Sequence, residues 1–100
     1  GGIVATEDAL IISGSIKNED VWHMHLFKLD MSGKVLWEKK FSDIQTFEMS
    51  RANDGIFLAG SKSGHIILMK FDFAGNKSWE SAFDEGTGVS IAVMNDYIFL

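Results

Sequence analysis

Short hydrophobic runs alternate with polar, turn-forming segments along the chain, and no segment shows the 10–15-residue pattern of a helix. β-branched and aromatic residues dominate the runs, which favours strands. Gly, Asn, Asp and Ser fill the segments between them, as expected of turns. The predicted strands are Ile3–Ala5, Ala9–Ser15, Val21–Leu29, Val35–Phe41, Thr46–Ser50, Ile56–Ser61, His65–Phe71, Lys77–Phe83, Val89–Val93 and Tyr97–Leu100.

One segment of the chain occurs twice, as Leu26–Phe41 and again 42 positions later as Leu68–Phe83. Far more positions agree than in unrelated segments. The identical pairs are Leu26/Leu68, Lys28/Lys70, Asp30/Asp72, Gly33/Gly75, Trp37/Trp79, Glu38/Glu80 and Phe41/Phe83. A repeat of this length is typical of the four-stranded blade of a β-propeller.

The sequence therefore predicts an all-β fold of antiparallel, four-stranded β-propeller blades. With strands lettered A to D from the ring centre outward, the chain spans about two and a half blades, at residues 1–43, 44–86 and 87–100. A propeller needs at least about four blades to close its ring. We therefore expect self-association, or contact with the remaining blades of a longer chain.

The turns of the two repeats are predicted from their residue types. Asp30 accepts hydrogen bonds from the turn amides and Gly33 adopts a positive φ, and the same roles fall to Asp72 and Gly75. The predicted loop between strands B and C spans Ile16–Val21 in the first repeat. In the second repeat it is Lys62–Gly64. We expect this loop to be four residues shorter, because Gly14 to Asp30 spans 16 positions and Gly60 to Asp72 spans 12.

Composition and charge narrow the possible partners. The net charge is −5 and no long basic cluster is present, which disfavours a nucleic-acid or anionic-membrane partner. The chain has no Cys, which excludes disulfides and thiolate metal sites. No apolar run is long enough to insert into a membrane.

Three sets of residues suggest chemistry, and each has a simpler interpretation. His23 and His25 share one face of a predicted strand, as metal ligands could, but no third ligand is evident and we predict no metal. Glu19–Asp20 and Asp84–Glu85 could be catalytic pairs, but adjacent loop carboxylates are more often solvated. Trp37 and Trp79 could stack on sugars, but their recurrence favours packing between blades.

Two groups of residues follow from this interpretation. The residues with a structural role in the repeat are Asp30, Gly33, Trp37, Phe41, Asp72, Gly75, Trp79 and Phe83. The candidate ligand-facing residues lie on the loops that join strands B to C and D to A, which emerge at one end of a propeller. They are Glu19, Asp20, His23, Asp43, Lys62, His65, Asp84 and Glu85.

The unit Lys-(Leu or Phe)-Asp-x-x-Gly-x-x-x-Trp-Glu-x-x-Phe, after an apolar strand that ends in Gly-Ser, resembles bacterial and archaeal β-propeller repeats. It is similar to those of pyrroloquinoline-quinone-type propellers and, in shape, to WD repeats. The resemblance implies a secreted, periplasmic or cell-surface protein. Its motif residues are structural, so it implies no catalytic residue and no cofactor.

We therefore expect a non-catalytic binding or scaffold module, with a protein partner as one possibility. Two alternatives stay open. The chain could be a fragment of a propeller enzyme whose catalytic residues lie in other blades. It could also be a propeller fragment that self-assembles and has no ligand.

Overall fold

The computed structural model describes residues 2–83, 92–94 and 97–99, and within them the fold is all-β with no helix. The all-β prediction is confirmed. The strands are β1 (Gly2–Ala5), β2 (Ala9–Asn18), β3 (Val21–Asp30), β4 (Val35–Ser42), β5 (Ile44–Arg51), β6 (Gly55–Lys62), β7 (His65–Asp72), β8 (Lys77–Phe83), β9 (Ala92–Met94) and β10 (Tyr97–Phe99).

The first eight strands form two antiparallel sheets, each with its strands in sequence order. Sheet 1 has the order β1-β2-β3-β4, and sheet 2 has the order β5-β6-β7-β8. Strands β9 and β10 form a separate antiparallel pair, in which Tyr97 lies opposite Met94. The predicted third unit thus has two strands where the structure describes it, and the rest of that unit lies outside the described residues.

The two sheets pack face to face around one hydrophobic core. The inner face of sheet 1 contributes Val4, Ile11, Met24 and Leu26, and the partly buried Trp37 and Phe41 pack beside them. The inner face of sheet 2 contributes Ile44, Ile56, Leu58, Ile67, Met69 and Phe71. A second, smaller cluster lies on the outer face of sheet 2 and consists of Ala52, Phe57, Ala59, Leu68 and Phe83. Because both faces of sheet 2 carry apolar clusters, strand β6 is apolar at successive positions from Ile56 to Ala59 instead of alternating.

The Asp-x-x-Gly hairpins have the predicted geometry in both sheets. Gly33 has φ of 91° and Gly75 has φ of 86°. One carboxylate oxygen of Asp30 accepts hydrogen bonds from the backbone amides of Ser32 (2.9 Å) and Lys34 (3.0 Å). Asp72 accepts the same two bonds from the amides two and four residues further along. The two repeats therefore build this hairpin in the same way.

The turns between strands B and C differ from the prediction. The loop of sheet 1 was expected to be four residues longer, but both connections are two-residue turns, Glu19–Asp20 and Ser63–Gly64. The four extra residues instead lengthen β2 and β3, which have ten residues each, whereas β6 and β7 have eight. The polar residues Lys17 and Asn18 pair with Trp22 and Val21 as strand residues.

The connection between the sheets is also shorter than the predicted Ser42–Gln45. Only Asp43 separates β4 from β5, and it has a φ of 64°. One glycine inside sheet 2, Gly60, is required by the close approach of two strand backbones. A Cβ on Gly60 would lie 2.3 Å from the carbonyl oxygen of Gln45, at the bulge where β5 passes β6. Glycine allows the two backbones to approach this closely.

Candidate functional site

The turn end of the molecule carries the candidate ligand-facing residues that the structure describes. It comprises the two-residue turns Glu19–Asp20 and Ser63–Gly64 and the connecting residue Asp43. Glu19, Asp20, Asp43 and His65 are exposed there, while His23 and Lys62 are partly exposed. Asp84 and Glu85 lie outside the described residues.

The backbone of the turn end has an unusual conformation. Among the described residues, the non-glycine residues with positive φ are Glu19 (52°), Asp20 (65°), Asp43 (64°) and Ser63 (51°), and all four lie at this end. Two-residue hairpin turns with positive φ at both positions favour Asn-Gly. Glu and Ser are poorly suited to this region, so the turn end retains side chains that carry a conformational cost.

The connection and the turn of sheet 2 are tied together. The Ser63 hydroxyl donates a hydrogen bond to the Asp43 carboxylate. Lys62 lies 3.6 Å from the carboxylate of Glu80, which also accepts a hydrogen bond from Lys77 (2.9 Å). These two lysines lower the pKa of Glu80, with the Lys77 hydrogen bond as the larger cause. Asp43 and Lys62 are thus engaged within sheet 2 or at its junction with sheet 1.

The hairpin of β2 and β3 projects beyond the rest of the turn end. The last pair between β3 and β4 is His23 with Ser42, whereas β2 and β3 continue to pair as far as Asn18 with Val21. We call residues 17–22 the projecting hairpin. The Lys17 ammonium lies 6.0 Å from the Trp22 ring centre, and Val21 is exposed. Acidic residues at its tip and apolar residues at its sides are therefore accessible together.

His23 and His25 lie on the same face of β3, as the sequence indicated. His23 is paired with Ile16 and Ser42, and His25 with Gly14 and Lys40. No group of three or more His, Cys, Asp or Glu side chains that could hold a metal ion is found among the described residues.

A cleft at the opposite end of the molecule was not predicted. It has a volume of about 250 Å³ and is lined by Thr6, Glu7, Asp8, Lys28, Arg51 and Phe73. Lys28 of sheet 1 donates a hydrogen bond to the Phe73 carbonyl oxygen of sheet 2 (3.2 Å). Arg51 of sheet 2 donates one to the Ala5 carbonyl oxygen of sheet 1 (3.3 Å). The two cations thus tie the sheets together in both directions.

The repeat residues lie at the sheet interfaces and hairpins. The Trp37 indole donates a hydrogen bond to the Phe73 carbonyl oxygen (3.3 Å), and Phe41 contacts Phe71 with ring centres 5.8 Å apart. Trp79 is 39% exposed and lies against Phe57 on the outer face of sheet 2. The hydrogen bond from the Ser32 hydroxyl is the main cause that lowers the pKa of Asp30, and the hydrogen bond from the backbone amide of Asn76 is the main cause for Asp72.

Sequence reasoning missed the projecting hairpin and the cleft for different reasons. The run Lys17-Asn18-Glu19-Asp20 has loop composition, but Glu19 and Asp20 alone can form the turn. The cleft depends on the approach of Arg51 to sheet 1 and of Phe73 to Lys28, and no local pattern encodes these contacts. The lysine that recurs at positions 28 and 70 was the sequence feature from which the cleft could have been found.

Comparison of the chain with family models, with curated proteins and with solved structures found no match. The structure also has no helix long and apolar enough to cross a membrane within the residues it describes.

Proposed function

We propose that this chain is a non-catalytic segment of a β-propeller that acts as a scaffold and binds a partner at its turn end. The propeller arrangement is supported by two successive four-stranded meanders of the same repeat, packed face to face. The first strand of sheet 2, β5, contacts β1, the first strand of sheet 1. It also contacts β9, the first of the two strands of the third unit. Neighbouring first strands are what a common ring centre requires.

The observation that carries the binding function is the conformation of the turn end. Its four non-glycine residues with positive φ include three carboxylates, those of Glu19, Asp20 and Asp43. A backbone selected for stability alone would place Asn and Gly in such turns. Residues that break a local rule of this kind often serve recognition, at a cost in stability. Among the carboxylates, Glu19 is the one whose residue type is poorly suited to positive φ. We infer that Glu19, with Asp20 beside it, is retained for binding.

The chemistry of the surface indicates the partner. Glu19 and Asp20 are exposed at the tip of the projecting hairpin, next to the exposed apolar side chain of Val21. An acidic tip beside apolar surface complements a protein segment with positive charge and some apolar side chains. The overall charge of −5 also favours a cationic partner, because it attracts positive charge over a longer distance.

The test replaces Glu19–Asp20 by Asn-Gly, which favours the same turn. We expect the unfolding free energy to increase by about 1 kcal/mol because the conformational cost is relieved. Titration with a lysine-rich peptide that also contains leucine, followed by calorimetry, should show saturable binding to the original chain. The variant should bind at least several-fold more weakly.

The control is the double variant Glu7→Gln and Asp8→Asn, which removes two exposed carboxylates at the opposite end. It changes the net charge by the same amount but should leave peptide binding nearly unchanged. Equal loss of peptide affinity in both variants would show that net charge alone causes the effect. An Asn-Gly variant that is more stable and binds the peptide as well as the original chain would contradict the proposed function.

A further inference from the structure

The turn between the first and second strands is built in the same way in both sheets. It spans residues 6–9 in sheet 1 and 52–55 in sheet 2, and in each the amide of the first residue donates to the carbonyl oxygen of the last (2.9 and 2.8 Å). The third residue of each turn is an aspartate, Asp8 in sheet 1 and Asp54 in sheet 2. These two carboxylates therefore occupy equivalent positions of the repeat.

The lysine of the repeat has a different partner in each sheet. Lys70 of sheet 2 lies 2.8 Å from the Asp54 carboxylate. Lys28, its equivalent in sheet 1, donates instead to the Phe73 carbonyl oxygen of sheet 2 (3.2 Å). Within the described residues, neither Lys28 nor Asp8 takes part in an ion pair. The lysine–aspartate contact that is made in sheet 2 is thus open in sheet 1, and both of its members line the cleft of about 250 Å³.

The cleft carries two cations and two carboxylates. Lys28 and Arg51 are held where the sheets meet, by hydrogen bonds to carbonyl oxygens (3.2 and 3.3 Å). Each keeps further N–H donors, since an ammonium group has three and a guanidinium group has five. Glu7 and Asp8 are adjacent and exposed in the turn of sheet 1. The cleft therefore offers charged donors at the sheet junction and charged acceptors at the turn.

Phe73 adds an apolar wall to the cleft. The Arg51 guanidinium carbon lies 5.8 Å from the centre of the Phe73 ring. This cation–π contact and the hydrogen bond to Ala5 hold the guanidinium in place before a ligand arrives. The volume of the cleft is below the roughly 300 Å³ at which sites for drug-sized ligands begin, so the cleft suits a smaller molecule.

We propose that this cleft binds a small zwitterion, namely a free α-amino acid with an apolar side chain. The carboxylate of the ligand accepts hydrogen bonds from Arg51 and Lys28, and the planar fork of a guanidinium group suits a carboxylate. The ammonium group of the ligand donates to Asp8, with Glu7 beside it. The apolar side chain packs on the Phe73 ring. The ligand thus takes the place of the direct lysine–aspartate contact of sheet 2.

The mixed charge of the cleft selects a zwitterion over a simple ion. A ligand with a carboxylate alone is attracted by Lys28 and Arg51 but repelled by Glu7 and Asp8. A ligand with an ammonium group alone meets the opposite combination. Only a molecule that carries both charges satisfies the junction and the turn together.

The test is a titration of the nitrogen-15-labelled chain with L-leucine, followed through the backbone amide signals. We expect saturable shifts at the cleft, in the signals of Thr6, Glu7, Asp8 and Arg51. Isocaproate is leucine without its amine, and isoamylamine is leucine without its carboxylate. Each should bind at least about tenfold more weakly than leucine, because each loses its hydrogen bonds to one pair of charged side chains. Absence of any saturable shift with leucine would overturn the proposal, as would isocaproate or isoamylamine binding as tightly as leucine.

A matched pair of variants locates the site. Asp8→Asn should weaken leucine binding at least about tenfold, because it removes the carboxylate that accepts from the ammonium group. Asp54→Asn removes the equivalent carboxylate of sheet 2, which is already paired with Lys70, and should leave leucine binding unchanged. Both aspartates are exposed, so both variants should fold. Equal weakening by the two substitutions would contradict the assignment to the cleft of sheet 1.

This inference is independent of the turn-end ligand. The cleft lies at the opposite end of the molecule and takes its ligand through two charges that an internal residue of a peptide does not have. A failure to bind leucine would therefore leave peptide binding by Glu19 and Asp20 unaffected, and the two titrations can fail separately.

Discussion

Trp37 and Trp79 occupy the same position of the repeat but have different surroundings. The Trp37 ring lies between the two sheets, on the hairpin of sheet 2, and its indole donates to the Phe73 carbonyl oxygen. Trp79 lies on the outer face of sheet 2, 39% exposed, and contacts Phe57 within its own sheet. One sequence motif thus forms an interface in one place and part of an accessible surface in the other.

The lysine of the same motif shows a similar difference. Lys28 crosses to sheet 2 and donates to the Phe73 carbonyl oxygen at 3.2 Å. Lys70 stays within its own sheet and lies 2.8 Å from the Asp54 carboxylate, whose pKa it lowers chiefly through this hydrogen bond. The repeat therefore specifies residues that bridge to a following sheet, and these residues take a local partner where such a bridge is not made.

Replacement of the two tryptophans should give the largest contrast. We expect Trp37→Ala to lower the unfolding free energy by about 3 kcal/mol, because it leaves a cavity between the sheets and removes a cross-sheet hydrogen bond. Trp79→Ala should cost only about 1 kcal/mol because the side chain is partly solvated. Urea denaturation at low protein concentration measures both values. Equal losses would show that the two positions are equivalent in the isolated chain.

A pair of glycines tests whether sheet 2 is also more tightly constrained in its backbone. Gly60→Ala should destabilise the chain by about 2 kcal/mol, since its Cβ would overlap the Gln45 carbonyl oxygen. Gly14 is the corresponding glycine of sheet 1, and a Cβ there meets no atom within 4 Å. Gly14→Ala should therefore change stability by less than about 0.5 kcal/mol. Thermal unfolding of both variants in parallel gives the comparison, and a Gly14 variant as unstable as the Gly60 variant would contradict it.

The hairpin glycines should give the smallest contrast. Gly33→Ala and Gly75→Ala both place a side chain at positive φ, which costs about 1 kcal/mol. Gly75→Ala should cost about 1 kcal/mol more, because its Cβ would lie 3.0 Å from the Trp37 ring. In the Trp37→Ala background this extra cost should vanish, and the two variants should become equal. A difference that persists there would mean that Trp37 is not its cause.

The sequence was informative where a feature depends on local chemistry. Asp30 and Gly33 predicted their hairpin correctly because a carboxylate acceptor and a left-handed glycine are needed within one turn. The lengths of the B–C and D–A connections were wrong because Lys17, Asn18 and Ser42 are polar yet pair as strand residues. Their cross-strand partners, which composition does not show, decide their conformation.

The candidate site was only partly accessible to sequence reasoning. The polar residues of the B–C and D–A connections identified the turn end, but the positive φ of Glu19 and Ser63 could not be predicted, because these residue types do not favour it. Arg51 and Phe73 meet Lys28 only through the packing of two sheets. Contacts of this kind depend on the angle and distance between sheets, which the repeat period alone does not define.

Hydrogen exchange of the tryptophan indoles distinguishes a repeat position that is joined to a second sheet from one that is open to solvent. The indole N–H signals in a nitrogen-15 spectrum can be assigned with Trp→Phe variants and followed in deuterated water at low protein concentration. We expect the Trp37 indole to exchange much more slowly than that of Trp79, because Trp37 donates to the Phe73 carbonyl between the sheets. Exchange of the Trp37 indole as fast as that of Trp79 would contradict this expectation.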